Sequence, residues 1–255
     1  MNNYVISLKS AVDRRAHIQN EFNSQSIPFN FFEAIEPPLN KELLEKFKLN
    51  TKANKLTENE TACFLSHFSL WNKVIKEKLN YIVIFEDDIY LSENASDFLC
   101  GEWPINKDII KIEKVYKKVV LKQNEKIKVG ESEYTIGVLQ KGHLGAGGYV
   151  LSYAAAKDLI AYVQSLNVLD HIDQILFNQY LKKGKYPISQ LNPVLCIQDC
   201  ILNPQKQKFS TTLQWRYREK IQYSLSQKII REIKRLCKQL IELPYKTEVL
   251  FKRNN

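Results

Sequence analysis

The chain has 255 residues, of which 44% are hydrophobic and 25% charged, with eight glycines and eight prolines. This composition predicts one large α/β domain or two small ones, and it excludes a disordered chain, a collagen-like repeat and a disulfide-rich miniprotein. The formal charge is +9, but residues 211–255 hold eleven Lys/Arg and four Asp/Glu and so carry +7 of it. The near-neutral remainder argues against a nucleic-acid-binding protein.

The cysteines and the N-terminus both favour a cytoplasmic protein. The five cysteines contain no C-x-x-C pair, which favours reduced, structural thiols over a disulfide framework or a zinc site. Residues 1–8 lack the basic segment and long apolar run of a signal peptide. Nowhere do 18 apolar residues follow one another, so no transmembrane helix is expected.

The first half of the chain alternates predicted strands and helices. The helix that follows Thr57 begins with capping-box spacing, since Glu60 lies three residues later. The run YIVIF (81–85) is continuously apolar, as in a strand buried on both faces of a parallel sheet. Strands are predicted over 4–8, 29–34 and 81–85, helices over 10–24 and 58–78, and a charged surface helix or loop over 41–55.

The second half continues this pattern around a glycine-rich loop. Residues 107–140 alternate loosely and predict short antiparallel strands. Residues 142–148 contain four of the eight glycines. After this loop, a strand is predicted over 149–152, a helix from 154, a helix over 172–182 and a last strand over 193–197. Alternating strands and helices favour a mostly parallel α/β sheet.

Three consecutive carboxylates, Glu86, Asp87 and Asp88, directly follow the apolar strand. Repulsion and burial both raise the pKa of a carboxylate, so we expect a cation to neutralise this cluster. Open α/β sheets also bind ligands at the carboxyl ends of their strands. Mn²⁺ or Mg²⁺ suits oxygen ligands and leaves coordination positions for a diphosphate. The alternative is a solvated acidic loop.

Several short motifs resemble glycosyltransferase family 25, which includes bacterial lipooligosaccharide galactosyltransferases and is related to collagen galactosyltransferases. The resemblance spans roughly residues 4–200 and is carried by VISL (5–8) with DRR (13–15), FFEA (31–34), Glu60 with LSH (65–67) and Trp71, IFEDD (84–88), GAGGYVLS (145–152) with AAK (155–157), DQILF (173–177) and PVLCIQ (193–198). It implies a GT-A-like, Rossmann-type fold whose mixed, mostly parallel sheet is flanked by helices. It also implies a UDP-sugar donor and inverting transfer that makes a β-glycosidic bond.

The acidic motif is the predicted metal site. Charge develops on the leaving diphosphate in such a transfer, and a cation bridging its oxygens stabilises it. Asp88 is the first candidate ligand, and Glu86 or Asp87 is the second. By resemblance, one of the three contacts the donor ribose or sugar instead.

An inverting displacement also needs a base that takes the proton from the acceptor hydroxyl. Asp173, which matches the family's acidic position, is the first candidate and Asp170 the second, although either could cap a helix. The residues assigned to donor binding are Ser7, Leu8, Arg14, Arg15, His67, Glu86, Asp87, Gly147 and Gln198. The alternatives are a solvated basic pair for the two arginines, a core histidine for His67 and a tight turn for Gly147. His143, in the glycine-rich loop, is a weaker candidate for contact with the pyrophosphate or the metal.

Residues 211–255 are predicted to form a basic amphipathic helical tail behind a catalytic domain of residues 1–210. Apolar residues recur four apart from Ile221 to Cys237, and Trp215, Tyr217 and Tyr223 add interfacial aromatic rings. Such a helix can lie on an anionic bilayer, where a lipid-linked oligosaccharide acceptor would be met. The alternative is packing on the catalytic domain or on a second subunit.

These features predict a cytoplasmic enzyme that is peripheral on the inner membrane. It would move a hexose, galactose from UDP-galactose, to a lipooligosaccharide or lipopolysaccharide core acceptor. Two alternatives remain: a UDP-glucose or UDP-N-acetylhexosamine transferase of the same fold, and a non-catalytic basic protein that binds membrane or nucleic acid.

Overall fold

Twelve strands and nine α-helices are present in the computed structural model, which describes residues 2–50, 56–101, 106–209 and 225–253. The strands are β1 (Asn3–Ser7), β2 (Asn30–Glu33), β3 (Tyr81–Glu86), β4 (Ile89–Leu91), β5 (Ile109–Lys111), β6 (Glu113–Lys114), β7 (Lys118–Val129), β8 (Ser132–Leu139), β9 (Gly148–Ser152), β10 (Ile188–Asn192), β11 (Cys196–Gln198) and β12 (Lys246–Glu248). The helices are α1 (Val12–Asn23), α2 (Asn40–Lys46), α3 (Glu58–Lys76), α4 (Ala95–Cys100), α5 (Tyr153–Gln164), α6 (Ile172–Gln174), α7 (Leu181–Lys183), α8 (Asp199–Leu202) and α9 (Leu225–Glu242). A π-helical segment, Ile175–Tyr180, joins α6 to α7, and 3-10 turns lie at Pro37–Leu39 and Leu243–Tyr245.

Nine of these strands form one mixed sheet in the order β12-β7-β8-β10-β5-β9-β3-β1-β2. β1 pairs in parallel with β2 and β3, and β5 pairs in parallel with β10, whereas the other pairs are antiparallel. Six strands, β1, β2, β3, β5, β7 and β10, therefore share one direction, and β8, β9 and β12 run against them. The sheet is therefore mixed, as expected, and most of its strands run in one direction, although five of its eight neighbouring pairs are antiparallel.

Both faces of the sheet are covered, as the continuously apolar β3 predicted. Ile82 and Ile84 face a core that includes residues of α3 and α5. Val83 and Phe85 face a second core that includes residues of α1 and α4. Because side chains alternate along a strand, β3 lies between two helical layers with its carboxyl end open at the edge of the sheet.

A second sheet of three short strands, in the order β4-β11-β6, lies beside this edge. β11 pairs with β4 so that Gln198 is opposite Ile89, which directly follows the acidic motif. The single strand predicted over 193–197 is wrong in its bounds. Two strands, β10 and β11, flank Pro193, which has no N–H to donate to a ladder.

Residues 107–140 differ from the predicted series of short strands. β7 and β8 form a long hairpin of twelve and eight residues that turns at Gly130, where φ is +60°. The middle of β7, from Lys122 to Lys126, is exposed on both sides. An exposed strand shows no apolar alternation, so the pattern alone could not reveal its length.

The chain returns to the sheet after α9. β12 pairs with the start of β7, Val249 is fully buried, and Arg253 forms an ion pair with Glu21 at 2.7 Å. The predicted tail is therefore helical only in part, because its last residues complete the sheet. Trp215, Tyr217 and Tyr223, whose rings were predicted to lie at a membrane surface, are outside the described residues. None of the helices in the described ranges is long and apolar enough to cross a membrane.

Candidate active site

The acidic motif lies at the carboxyl end of β3, in the turn that leads to β4. Glu86 is the last residue of β3, and its backbone N–H donates to the carbonyl of Gly147 at 3.2 Å. The carbonyl of Asp88 accepts the N–H of Asp199, the first residue of α8, at 2.9 Å. The backbone of the motif is thus fixed between the glycine-rich loop and α8.

Glu86 and Asp88 converge on one amide group. Nε2 of Gln198 donates to Oε2 of Glu86 at 2.7 Å and lies 3.2 Å from Oδ1 of Asp88. Burial and the neighbouring Asp87 raise the pKa of Glu86 to about 7, and burial and Glu86 raise the pKa of Asp88 to about 7. The predicted residue Gln198 thus lies between two carboxylates whose negative charge it only partly balances.

Asp87 has different partners. Its Oδ1 lies 2.6 Å from Nη1 of Arg14, and its Oδ2 accepts a hydrogen bond from Oγ of Ser7 at 2.7 Å. The Asp87 side chain is 13% exposed and that of Arg14 is 24% exposed, so the pair is partly open to solvent. The structure therefore brings Ser7 and Arg14 to the acidic motif, and their assignment to donor binding stays a prediction.

Arg15, the other predicted arginine, holds the end of β1. Its Nε donates to the carbonyl of Leu8 at 2.9 Å and its Nη2 to the carbonyl of Ser7 at 2.9 Å. Nη2 also pairs with Glu33 at 3.1 Å, and the guanidinium lies 4.7 Å from the ring centroid of Phe31. These contacts join the end of β1 to β2, so Arg15 stabilises the strand that carries Ser7, and donor contact by Arg15 and Leu8 stays a prediction.

His67 lies behind Glu86 in a chain of hydrogen bonds. Its Nε2 is 3.4 Å from Oε1 of Glu86, and its Nδ1 is 2.9 Å from the hydroxyl of Tyr149, which accepts the indole N–H of Trp71 at 2.9 Å. The indole N–H can only donate, so the Tyr149 oxygen accepts it and the Tyr149 proton is available to Nδ1 of His67. In the tautomer that accepts this proton, the His67 proton is on Nε2 and faces Glu86.

This chain changes the role predicted for His67. The side chain is fully buried, and burial lowers its pKa to about 3, so the ring is neutral. The structure does not place His67 where it could contact a donor directly. It orients Glu86 instead.

Tyr149→Phe is expected to destabilise the fold by about 1–3 kcal/mol, since it leaves the Trp71 N–H and Nδ1 of His67 buried without a partner. Urea unfolding of the variant and the wild type measures the difference. Tyr153→Phe is the matched control, because Tyr153 is 37% exposed and should tolerate the change. Equal stability of Tyr149→Phe and wild type would contradict the assigned hydrogen bonds.

The glycine-rich loop brings Asp173 to the site. Oδ2 of Asp173 accepts the N–H of Gly145 at 3.2 Å, and its Oδ1 accepts the N–H of Gln174 at 2.7 Å. The charge of Asp173 also contributes to the raised pKa of Glu86. Asp170 instead accepts the N–H of His171 and the side-chain amide of Gln179. It does not cap α6, whose N-cap is His171 and has no side-chain cap hydrogen bond.

Gly147 fits only as glycine. A Cβ at this position would lie 2.7 Å from Oε1 of Glu113 and 2.8 Å from Cγ of Gln198. The backbone at Gly147 therefore packs closely against Glu113 and Gln198, whereas the donor contact assigned to Gly147 stays a prediction.

Comparison with known proteins decides the family. The model for "Glycosyltransferase family 25 (LPS biosynthesis protein)" matches residues 1–176. The chain belongs to glycosyltransferase family 25. It is 42% identical over 224 residues to the lipooligosaccharide biosynthesis protein lic2B of Haemophilus influenzae, covering 83% of this chain and 81% of that protein.

Further relatives agree with this assignment. The lacto-N-neotetraose biosynthesis glycosyltransferase LgtE of Neisseria meningitidis serogroup B is 34% identical over 210 residues, covering 78% of this chain and 74% of that protein. The lipooligosaccharide biosynthesis protein lex-1 of Haemophilus influenzae is 31% identical over 247 residues, covering 84% of this chain and 82% of that protein. The chain is a glycosyltransferase, and the alternative of a non-catalytic binding protein is set aside.

This family 25 enzyme has further buried polar residues at its site that the sequence did not reveal. Lys111 and Glu113 form an ion pair at 2.8 Å in which neither side chain is exposed. The available signal was a lysine and a glutamate on either side of Ile112 in an otherwise apolar run. A charged residue in a short, loosely alternating segment is more often at the surface, so the signal was too weak to use.

Cys63 lies close to two of the polar residues at this edge of the sheet. Ligand atoms of Cys63, His67 and Glu86 lie within 4.8 Å of one another. Burial raises the pKa of the Cys63 thiol, so this group remains protonated and is a poor ligand for a hard cation.

His143 is fully buried, and its Nε2 accepts the N–H groups of Val115 and Tyr116. Nδ1 of His143 donates to Oε1 of Gln190 at 2.7 Å, so both ring nitrogens are engaged within the fold and neither is left for the suggested contact with a pyrophosphate or metal.

Proposed function

We propose that this enzyme transfers galactose from UDP-galactose, with inversion to a β linkage, to a lipooligosaccharide or lipopolysaccharide core acceptor. The convergence of Glu86 and Asp88 on the amide of Gln198 supports a UDP-sugar site at the end of β3. The names of lic2B and lex-1, both lipooligosaccharide biosynthesis proteins, support the class of acceptor.

The donor set at this point fits a hard divalent cation, Mn²⁺ or Mg²⁺. Carboxylate oxygens of Asp88 and Glu86 would hold it. The side-chain amide of Gln198 faces both carboxylates through its Nε2, so it would have to turn over to offer its oxygen as a third ligand. Burial, together with repulsion from neighbouring carboxylates, raises the pKa of both Glu86 and Asp88, and a bound cation would offset both effects. When bound, the cation stabilises the negative charge of the leaving diphosphate.

The pKa shifts predict how stability depends on pH without a cation. Carboxyls that titrate near pH 7 when folded and near pH 4 when unfolded bind protons first in the folded state, so stability rises as pH falls. We expect the melting temperature in EDTA to rise between pH 8 and 6.5. Below pH 6.5, buried neutral histidines such as His67 oppose this gain, because the unfolded chain protonates them first.

Asp88→Asn provides the comparison for this pH effect. The variant lacks one of the two coupled carboxyls, so its melting temperature should change less between pH 8 and 6.5. Equal pH dependence in wild type and variant would contradict the raised pKa of Asp88.

Asp173 is the proposed base. Each of its oxygens accepts one backbone N–H, which fixes the carboxylate and leaves a second lone pair on each oxygen. In the transfer, the acceptor oxygen forms a bond to the anomeric carbon and its proton moves to Asp173. The bond between the anomeric carbon and the diphosphate breaks, and UDP leaves.

A donor screen tests this proposal. The enzyme is incubated with Mn²⁺, truncated lipooligosaccharide and, in turn, UDP-galactose, UDP-glucose, UDP-N-acetylglucosamine and UDP-N-acetylgalactosamine. We expect the fastest UDP release with UDP-galactose, loss of turnover in EDTA, and a β-anomeric coupling constant in the product. Faster turnover of another UDP-hexose would favour the alternative donors, and no turnover of any would contradict the proposal.

We further propose that α9 lies on the anionic surface of the inner membrane. Its described apolar side chains are exposed: 54% for Ile230, 53% for Leu236, and 71% each for Leu240 and Ile241. Glu242, at the end of α9, pairs at 3.6 Å with Lys141, the residue before the glycine-rich loop. A membrane-bound acceptor would therefore be met close to the site.

Vesicle sedimentation tests the membrane proposal. We expect binding to phosphatidylglycerol-containing vesicles and weaker binding as salt rises, since each basic residue near the surface contributes about 1 kcal/mol. Leu240→Gln/Ile241→Gln should lose this binding, whereas Leu250→Gln, which changes a leucine that is 45% exposed outside the helix, should keep it. If the wild-type protein does not bind anionic vesicles but forms dimers in solution, the apolar face of α9 would instead contact a second copy of the chain.

A further inference from the structure

We infer that the buried Lys111–Glu113 ion pair positions the glycine-rich loop against the donor site. The inference rests on the proposed function of that site. Neither residue touches a place where substrate is proposed to react, so both are positioning residues.

The strand geometry explains how the pair is formed. Lys111 ends β5 and Glu113 begins β6, so they are two residues apart in extended chain and project to the same side. Ile112, between them, projects to the other side and packs with Ile110 in the core on the α1 face. Lys111 Nζ also lies 4.1 Å from the ring centroid of Phe177, which closes the pair off from solvent.

Each member of the pair holds one peptide group of the loop. Lys111 Nζ donates to the carbonyl of Gly145 at 2.6 Å, and Oε2 of Glu113 accepts the N–H of Gly147 at 3.1 Å. The carbonyl of Gly147 in turn accepts the N–H of Glu86. The pair is thereby connected, through one residue of the loop, Gly147, to the acidic motif.

The pair is poorly suited to a purely stabilising role. A buried ion pair loses more hydration than it regains unless further hydrogen bonds satisfy both partners. Within the described residues, Oε1 of Glu113 accepts no hydrogen bond, and this atom is buried. An apolar pair of the same volume would be expected to stabilise the fold at least as well, so the contacts to Gly145 and Gly147 are what the charged pair adds.

The deciding variant is Lys111→Met/Glu113→Met, which keeps the volume and removes both loop contacts. We expect a melting temperature at or above that of the wild type, at least tenfold lower kcat/KM with a raised donor KM, and faster amide hydrogen exchange in residues 142–148. Lys111→Met/Glu113→Gln retains an acceptor for the Gly147 N–H and should recover part of both losses.

A charge-reversed variant, Lys111→Glu/Glu113→Lys, separates the ion pair from its loop contacts. It keeps two opposite buried charges but presents a carboxylate to the Gly145 carbonyl and an ammonium to the Gly147 N–H. If it folds, we expect it to lose turnover. If the double methionine variant does not fold, the turnover of the charge-reversed variant tests whether the loop contacts are needed.

The inference would be overturned by wild-type kcat/KM and wild-type loop exchange in the double methionine variant or in the folded charge-reversed variant. Failure of both variants to fold would also overturn it in favour of a structural role. A wild-type enzyme with no turnover of any UDP-sugar would refute the proposed function, whereas the hydrogen-exchange comparison would still test the loop contacts.

Discussion

Asp88→Asn is expected to reduce UDP-sugar turnover by about a hundredfold to a thousandfold, the effect of losing one well-placed electrostatic contact to a developing charge. Asp88 is one of the two carboxylates that converge on Gln198, and the amide cannot supply its charge. UDP release measured at saturating Mn²⁺ gives the turnover, and calorimetric titration with Mn²⁺ gives the affinity, which should fall as well.

The fold should survive this change. Burial and Glu86 both disfavour the charged form of Asp88, so a neutral amide of the same shape relieves repulsion. The melting temperature of Asp88→Asn is expected to match or exceed that of the wild type at pH 8. Asp108→Asn is the matched control, because Asp108 accepts a hydrogen bond from Ser152 away from the motif and should leave turnover unchanged. Full turnover in Asp88→Asn would remove Asp88 from the proposed cation site.

Asp173→Asn should slow sugar transfer by about 10²–10⁴-fold while leaving UDP binding intact. A positioned general base contributes about 10²–10⁴-fold to the rate. An asparagine can still accept one of the two backbone N–H groups, so the loop at Gly145 keeps part of its attachment. Transfer to acceptor is measured by product formation, and UDP binding by calorimetry in the presence of Mn²⁺.

Asp170→Asn is the paired variant for this test. Asp170 bonds to the N–H of His171 and to Gln179, and an asparagine can preserve the first of these contacts. We expect nearly wild-type transfer. Loss of transfer in Asp170→Asn with normal transfer in Asp173→Asn would exchange the two assignments.

Local patterns predicted the parts of the fold that depend on local physics. The capping box of Thr57 and Glu60 is present with both reciprocal hydrogen bonds, and α3 begins where the spacing placed it. The continuously apolar β3 lies between two cores. The antiparallel direction of β9 could not be predicted, because a buried strand has the same composition in either direction and only its distant partners β3 and β5 fix it.

The same distinction applies to the site. Glu86, Asp88 and Gln198 were named from the sequence, since each follows a recognisable strand, and the structure brings them together. His67 was placed in donor contact, but its position behind Glu86 depends on Tyr149, which is 82 residues away. Lys111 remained unnoticed because its ion pair and its contact to Gly145 exist only once β5 and the loop meet.

The return of the chain after α9 has a consequence for experiments on the helix. β12 covers the first residues of β7, and Val249 fills the core beneath it. A protein shortened before α9 would expose an unpaired strand edge, which is a template for aggregation between molecules. Loss of soluble protein on such a truncation would report an open sheet rather than a lost membrane contact, so α9 has to be studied by substitutions on its surface.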